Sequence, residues 1–158
     1  ANNYGNLCQR VFSFIKNNCK NKIKRTNNLT KNDKELIKRT NELTKNLRKN
    51  MNEQDLNSYI KSVIDVSFLT NKYINDEEPW KLKKGNLEKM NNILHVAVEQ
   101  IAKISILLNP IIPDSSLKII KALNINMNKV NLSFLDGKNI IEDQIEIKDV
   151  GILFKKIA

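Results

Sequence analysis

The stretch 86-NLEKMNNILHVAVEQIAKISILLNPIIPDSS-116 decides the fold. Leu87, Met90, Leu94, Ala97, Ile101 and Leu108 recur at multiples of three and four residues, the spacing of one helix face. No Gly or Pro interrupts the run between Leu87 and Asn109. Gly85 and Asn86 restart the chain ahead of it, and Pro110 and Pro113 stop it. Proline ends a helix because it lacks an amide hydrogen and clashes with the preceding turn. The pattern predicts a long amphipathic helix, the fourth in the chain, and a core built by helices.

Reading toward the C-terminus, Asp114 or Ser115 caps a short fifth helix that ends near Leu123. From 124 onward the pattern is irregular. "DG" at 136–137 signals a turn, and 143-DQIEIKDVGILF-154 alternates enough for a short strand pair. Reading toward the N-terminus, a third helix is capped at Asn52 and carries Leu56, Ile60, Val63, Val66 and Tyr73. It ends before Pro79, because the residue preceding a proline is pushed out of the helical region. A second helix starts from a Thr30 or Asn32 cap and runs to about Met51. Leu36, Leu43 and Leu47 form its sparse apolar stripe, with Lys and Arg crowding the rest. Residues 21–31 read as a basic loop. The first twenty residues form a helix with Tyr4, Leu7, Cys8, Val11, Phe12, Phe14, Ile15 and Cys19 on its apolar face. Its other face holds Asn2, Asn6, Gln9, Arg10, Ser13 and Asn17, a stripe that donates and accepts hydrogen bonds. The expectation is an all-α, antiparallel helical bundle of about five helices over 1–123. A small irregular or short-strand appendage, 124–158, packs back on the bundle or on another domain.

At 158 residues and 18.3 kDa the chain suits one domain. Hydrophobic residues at 41% and charged residues at 28% fall in the range of a soluble globular protein. Asn, Lys and Ile are abundant, a bias that AT-rich codons would produce without any function. The distribution of charge is not explained that way. Residues 1–50 carry 13 Lys and Arg against 3 Asp and Glu, a net +10, whereas residues 51–158 carry 14 of each. All of the net charge sits in the first third, which points to a polyanionic partner, nucleic acid before membrane. No run of eighteen apolar residues exists for a membrane span, and no basic-then-apolar leader opens the chain. The chain starts within a helix and without Met, which predicts a piece excised from a longer protein. Cys8 and Cys19 lie about 16 Å apart along one helix, beyond the roughly 7 Å that a disulfide spans, so two free, buried thiols in a reducing compartment are expected.

Catalytic signals are thin. The single histidine, His95, lies among apolar residues and reads as a core or interface residue. There is no CxxC, no HxxxH and no Gly-rich phosphate loop. Asp76, Glu77 and Glu78 are adjacent acids at a helix end, a feature more often solvated than cation-binding. The anomaly is Trp80, the only tryptophan, placed after those acids and Pro79 and before a basic run. An exposed indole offers a face on which any base stacks for about 1–3 kcal/mol. Single-stranded RNA is read by stacking bases on aromatics and bonding their edges to polar side chains. Asn6 and Arg10, i and i+4 on one helix face, are of the types that bond a base edge or grip a phosphate.

Three blocks carry a family resemblance: 1-ANNYGNLCQRVFSF-14, 71-NKYINDEEPWKLKK-84 and 107-LLNPIIPDSSLKI-119. In that order they resemble the anticodon-binding domain of methionyl-tRNA synthetases, which share Gly-Asn-Leu-x-x-Arg, Asn-(Lys/Arg)-Tyr followed by Pro-Trp, and Leu-x-Pro-x-x-Pro. The closing LFKKI at 153–157 resembles a frequent family ending. The resemblance implies a class I aminoacyl-tRNA synthetase that joins methionine to tRNA through a methionyl-adenylate, using ATP and Mg2+ in an upstream Rossmann-type catalytic domain. That domain's His-Ile-Gly-His and Lys-Met-Ser-Lys-Ser motifs are absent here, so this piece holds no catalytic residue and no cofactor of its own. The implied partners are the tRNA anticodon stem-loop and the upstream domain, with no membrane, in the cytoplasm. The implied anticodon contacts are Asn6, Arg10 and Trp80, with Pro79 positioning the indole and Asn2 and Asn3 weaker candidates. Many relatives carry Asp where this chain has Asn3. Two other readings stand beside this one: the matching domain of another class I synthetase, and a basic helical protein-interaction module. An indole packed inside the bundle, with Asn6 and Arg10 turned elsewhere, would favour the last.

Overall fold

The computed structural model of the chain describes residues 2–128, 130 and 138–149. In chain order the elements are α1 (Asn2–Cys19), β1 (Lys22–Lys24), α2 (Lys31–Thr44), α3 (Leu47–Asn52), α4 (Leu56–Glu77), a 3-10 turn (Pro79–Leu82), α5 (Leu87–Leu108), α6 (Pro113–Ala122) and β2 (Gln144–Glu146). The result is a helical bundle with a two-stranded antiparallel appendage, as the sequence predicts.

α5 is the central element, lying against α1, α2, α4, α6 and β1. Every residue from Asn92 to Leu108 is buried. From Asn92 onward the sequence reading of α5 as amphipathic is therefore corrected: the polar residues there do not face water, whereas Glu88 in the first turn stays exposed. Three of the buried ones meet partners from three different segments. Asn92 accepts from the Thr26 amide at 2.8 Å, Gln100 accepts from the Thr40 hydroxyl at 2.9 Å, and Ser105 pairs with the Tyr4 hydroxyl at 2.6 Å. α4 runs antiparallel beside α5, with the Tyr59 hydroxyl donating to the Leu107 carbonyl at 2.7 Å. Near the other end of the pair, Lys89 approaches Glu77 at 3.9 Å.

Helix boundaries differ from expectation in three places, and a fourth, the cap of α2, resolves to one of the two residues expected. The single helix expected to reach Met51 breaks at Lys45 and Asn46 into α2 and α3. Thr44 turns its hydroxyl back onto the Thr40 carbonyl at 2.9 Å, a local bond that competes with the helix ladder, and the break delivers Leu47 fully into the core. Thr30, not Asn32, caps α2. It forms a reciprocal capping box, Asp33 N–H to Thr30 Oγ1 at 3.2 Å and Thr30 N–H to Asp33 Oδ2 at 2.8 Å. Asp55, not Asn52, caps α4 by accepting from the Ser58 amide, after Gln54 reverses the chain at φ 57°. α6 begins at Pro113 itself, with neither Asp114 nor Ser115 as its cap, because proline's fixed φ suits the first helical position. Leu56 and Leu87, expected in apolar stripes, are 58% and 55% exposed because each opens its helix beyond the reach of the core.

The appendage also departs from the sequence reading. Gln144–Glu146 pairs antiparallel with Lys22–Lys24, so β1 lies inside the stretch read as a basic loop. Three residues with one buried Ile23 between two exposed lysines give too short an alternation to register as a strand. The turn at 136–137, the second half of the expected strand pair and the LFKKI ending lie outside the described residues. Residues 139–143 are held by α5 and β1: both Glu99 carboxylate oxygens accept backbone amides, from Ile140 and Ile141. His95 Nε2–H donates to the Glu142 carbonyl at 2.8 Å, and the Arg25 amide donates to Asp143 O at 2.7 Å. His95 is thus the core residue the sequence suggested. Both cysteines are free; Cys8 is buried, whereas Cys19 is only partly so because it ends α1. Among the described residues no helix is long and apolar enough to cross a membrane.

These bonds can be tested at two positions. Asp33 is fully buried, closes the capping box and accepts from the Tyr73 hydroxyl, so Asp33→Ala removes a cap and strands a buried donor. The loss should be about 2–4 kcal/mol in urea unfolding, and a change below about 0.5 kcal/mol would contradict the assignment. Burial lowers the pKa of His95 below the ordinary 6.5, and with Nε2–H on Glu142 the buried Nδ1 has no hydrogen-bond partner among the described residues to accept from a second N–H. The neutral ring is the folded form, so stability is complete above the unfolded value and is lost as pH falls through the lowered folded one. His95→Gln removes that titration. Its stability relative to the parent chain should stay constant from about pH 8 to about pH 7 and improve as pH falls from about 6.5 toward about 5.

Candidate nucleic-acid interface

α4 ends in a reversal that sets up the tryptophan. Glu78 adopts the left-handed conformation, φ 49° and ψ 58°, while its N–H still bonds the Ile74 carbonyl. A residue before proline avoids the right-handed helical region, and here the chain meets that restriction by crossing to positive φ, a conformation that costs a non-glycine residue of order 1–3 kcal/mol. Pro79 then starts the 3-10 turn and is buried, and the turn packs on α5. Lys81 closes the corner twice, through its amide to the Glu78 carbonyl and its ammonium to the Glu78 carboxylate, both at 3.0 Å. Pro79 points inward and Trp80 stays at the rim, 37% exposed.

Across from that corner runs α1. The Arg10 guanidinium carbon lies 5.2 Å from the Trp80 ring centroid, within cation–π range. The structure thus brings together two of the residues singled out from sequence, with buried Pro79 preceding the indole in the chain. Asn6 is exposed one helical turn before Arg10, on the same side of α1, with no side-chain partner among the described residues. Asn2 lies in the first turn of α1. Asn3 is drawn inward, where its Oδ1 accepts from Asn71 Nδ2.

The seam holds residues that sequence reasoning did not single out. Lys83 Nζ lies 5.6 Å over the Phe14 ring, one turn beyond Arg10 on α1 and just past the 3-10 turn. Asn71 ties α4 to the start of α1. Asn71 and Lys83 stand inside the 71-NKYINDEEPWKLKK-84 block, so the block itself was the available signal. The three adjacent acids are all engaged. Asp76 pairs with Lys72, Glu77 accepts from Asn32 and meets Lys89, and Glu78 holds Lys81. No group of three or more His, Cys, Asp or Glu suited to a metal occurs among the described residues. Away from the seam, Lys34, Lys38 and Lys45 line a shallow groove on α2, and Lys22 and Lys24 flank buried Ile23 on β1, so the basic first third is largely on the surface.

Comparison with known proteins accords with this arrangement. Residues 23–158 match the family described as the anticodon binding domain of methionyl tRNA ligase. The methionine–tRNA ligase of Rickettsia felis is 31% identical over 159 residues, covering 99% of this chain and 31% of the relative. That of Brucella suis biovar 1 is 30% identical over 129 residues, covering 82% of this chain and 25% of the relative. The chain thus spans about a quarter to a third of the length of the curated relatives it matches. Mycobacterium tuberculosis methionyl-tRNA synthetase, solved with methionyl-adenylate, shares the fold at a TM-score of 0.86 and 21% identity, over 98% of this chain and 31% of that one. The chain belongs to the family of methionyl-tRNA ligase anticodon-binding domains.

Proposed function

We propose that this chain recognises the CAU anticodon of a methionine tRNA, and that the observation carrying the proposal is the Arg10 guanidinium held over a half-exposed Trp80. A domain that merely packed its tryptophan would bury the indole and turn Arg10 to a carboxylate. Here the indole is at the rim, and Arg10 has no carboxylate partner among the described residues. One unstacked base lies on the free part of the indole. The guanidinium then slides from the ring toward the base edge, where its planar fork matches paired acceptors. Asn6, one turn along, offers an amide that donates and accepts at a neighbouring base. Pro79 keeps the indole at a fixed height, and Asn2 stands at the open end of α1 as an outer contact.

The basic surface of α2, β1 and the end of α1 attracts the RNA without reading it. Docking of the anticodon stem-loop would orient the tRNA so that its acceptor end reaches a catalytic region outside this chain, where methionine is activated with ATP and Mg2+ and joined to the tRNA. This chain supplies selection and orientation to that reaction and none of its covalent steps.

Two measurements test the reading. Trp80→Ala and Arg10→Ala should each weaken binding of a CAU stem-loop by about 1–3 kcal/mol, and Arg10→Ala should narrow the gap between that loop and anticodon-swapped ones. Equal losses for all loops would refute base readout. Neutralising lysines within 20–49 should weaken every RNA alike and flatten the salt dependence by about 0.7–0.9 for each phosphate that the protein no longer neutralises. An unchanged slope would remove the basic surface from the account.

A further inference from the structure

The corner around Trp80 contains more cations than the base reader uses, and the structure sorts them. Lys72, Lys81 and Lys89 are each matched to an acid of the Asp76–Glu78 run, at 2.5, 3.0 and 3.9 Å. Arg10 and Lys83 are not matched to any carboxylate among the described residues. Both instead lie over aromatic rings, Arg10 over Trp80 at 5.2 Å and Lys83 over Phe14 at 5.6 Å. The two pairs are arranged reciprocally. α1 supplies the cation of the first and the ring of the second, and the Pro79–Lys83 corner supplies the ring of the first and the cation of the second. Arg10 and Phe14 are four residues apart on α1, about 6 Å of rise, and Trp80 and Lys83 are three apart on a 3-10 path, also about 6 Å. The pairs therefore form two successive rungs of one ladder.

A cation over a phenyl ring is held in place while keeping most of its charge, because the ring offers a quadrupole and not a counter-charge. An exposed ammonium fixed in that way is a ready contact for a phosphodiester, where Lys acts as a point charge. Taking Trp80 as the stacking platform, we infer that Lys83, held over Phe14, contacts the RNA phosphate next to the base stacked on Trp80. This rests on the anticodon reading given above and adds to it a backbone site and the residue that preorganises it. Its effect is on register. The first rung fixes one base, the second fixes the adjoining backbone, and together they set which base falls on the indole.

The test uses the full chain, a fluorescent CAU stem-loop and salt titrations. Lys83→Met should lower affinity about three- to tenfold at low salt and reduce the salt slope by roughly one phosphate's worth, equally for swapped anticodons. Lys81→Met, whose ammonium is already neutralised by Glu78, should do less. Phe14→Leu keeps an apolar side chain while releasing Lys83, and should reproduce part of the drop in affinity with an unchanged salt slope. The decisive readout is a scan of stem-loops carrying a single uncharged methylphosphonate. At one position the methylphosphonate and Lys83→Met together should cost no more than either alone. If Trp80→Ala weakens binding while Lys83→Met changes neither affinity nor slope, or if no position shows that coupling, the phosphate site is overturned and the base reader stands. If Trp80→Ala and Arg10→Ala also bind normally, the anticodon reading itself fails.

Discussion

Burial of α5 on all sides from Asn92 to Leu108 is the constraint on which the rest of the structure depends. A stretch with no solvent face must place most of its polar groups against partners, since an unmatched buried polar group costs about 1–3 kcal/mol. Along α5 these partners come from nearly every other element: Thr26 beside β1, Thr40 in α2, Tyr4 in α1 and the 140–142 backbone of the appendage. The polar row thereby fixes the register of its neighbours, which apolar packing alone specifies weakly. Glu99 shows the tension in this arrangement. Burial pushes its carboxyl pKa upward, and the Ile140 and Ile141 amides, with Lys103 one turn on, pull it back down. Lys103 is itself pushed downward by burial.

The seam proposed to face RNA is a consequence of that register. α1 is set on α5 by the Tyr4–Ser105 hydroxyl pair and tied to α4 by Asn3 and Asn71. Asn6, Arg10 and Phe14 then follow along the exposed side of α1 by helical geometry. α4 ends at Glu78, and the 3-10 turn after Pro79 is packed on α5, so Trp80 and Lys83 are placed against α1 by the same central helix. The site has no loop of its own to order. Its side chains stand on two helices and a proline-locked corner, which limits the entropy lost when a partner arrives.

The bundle was legible because four long helical patterns are separated by Gly, Asn and Pro at the positions where the chain turns. What was not legible depended on pairing between distant segments. Asp55 and Pro113 start their helices in preference to the neighbouring Asn52 and Asp114, and of the two caps open to α2 it is Thr30 that serves, its capping-box partner Asp33 being held by Tyr73. The pairing of Lys22–Lys24 with Gln144–Glu146 joins segments over a hundred residues apart, and neither segment announces a partner. The polar residues of α5 were misread as a solvent face for the same reason, since a sequence shows their polarity and not what they meet. In the site, Arg10 and Trp80 were found by residue type together with family resemblance. The Lys83–Phe14 pair was missed because a lysine in a basic run and a phenylalanine on an apolar face each have an ordinary explanation until they are seen together.

The arrangement of charge separates attraction from reading. The excess of positive charge lies in the first fifty residues and is spread over α2, β1 and the end of α1, a field that reaches about a Debye length and treats all RNA alike. At the seam only Arg10 and Lys83 are set over aromatic rings, without a carboxylate among the described residues. Its proposed readers are the neutral amide of Asn6, an indole and one guanidinium, and the acids beside it are consumed by Lys72, Lys81 and Lys89. This pairing matters because an unneutralised carboxylate near Arg10 would capture the guanidinium. With the acids neutralised, orientation of the guanidinium is left to the indole, and on the proposed reading discrimination rests on stacking and directional hydrogen bonds that salt screens only weakly. On the proposed reading, RNA is drawn by a diffuse surface and selected at a seam whose Arg10 and Lys83 are held by aromatic rings.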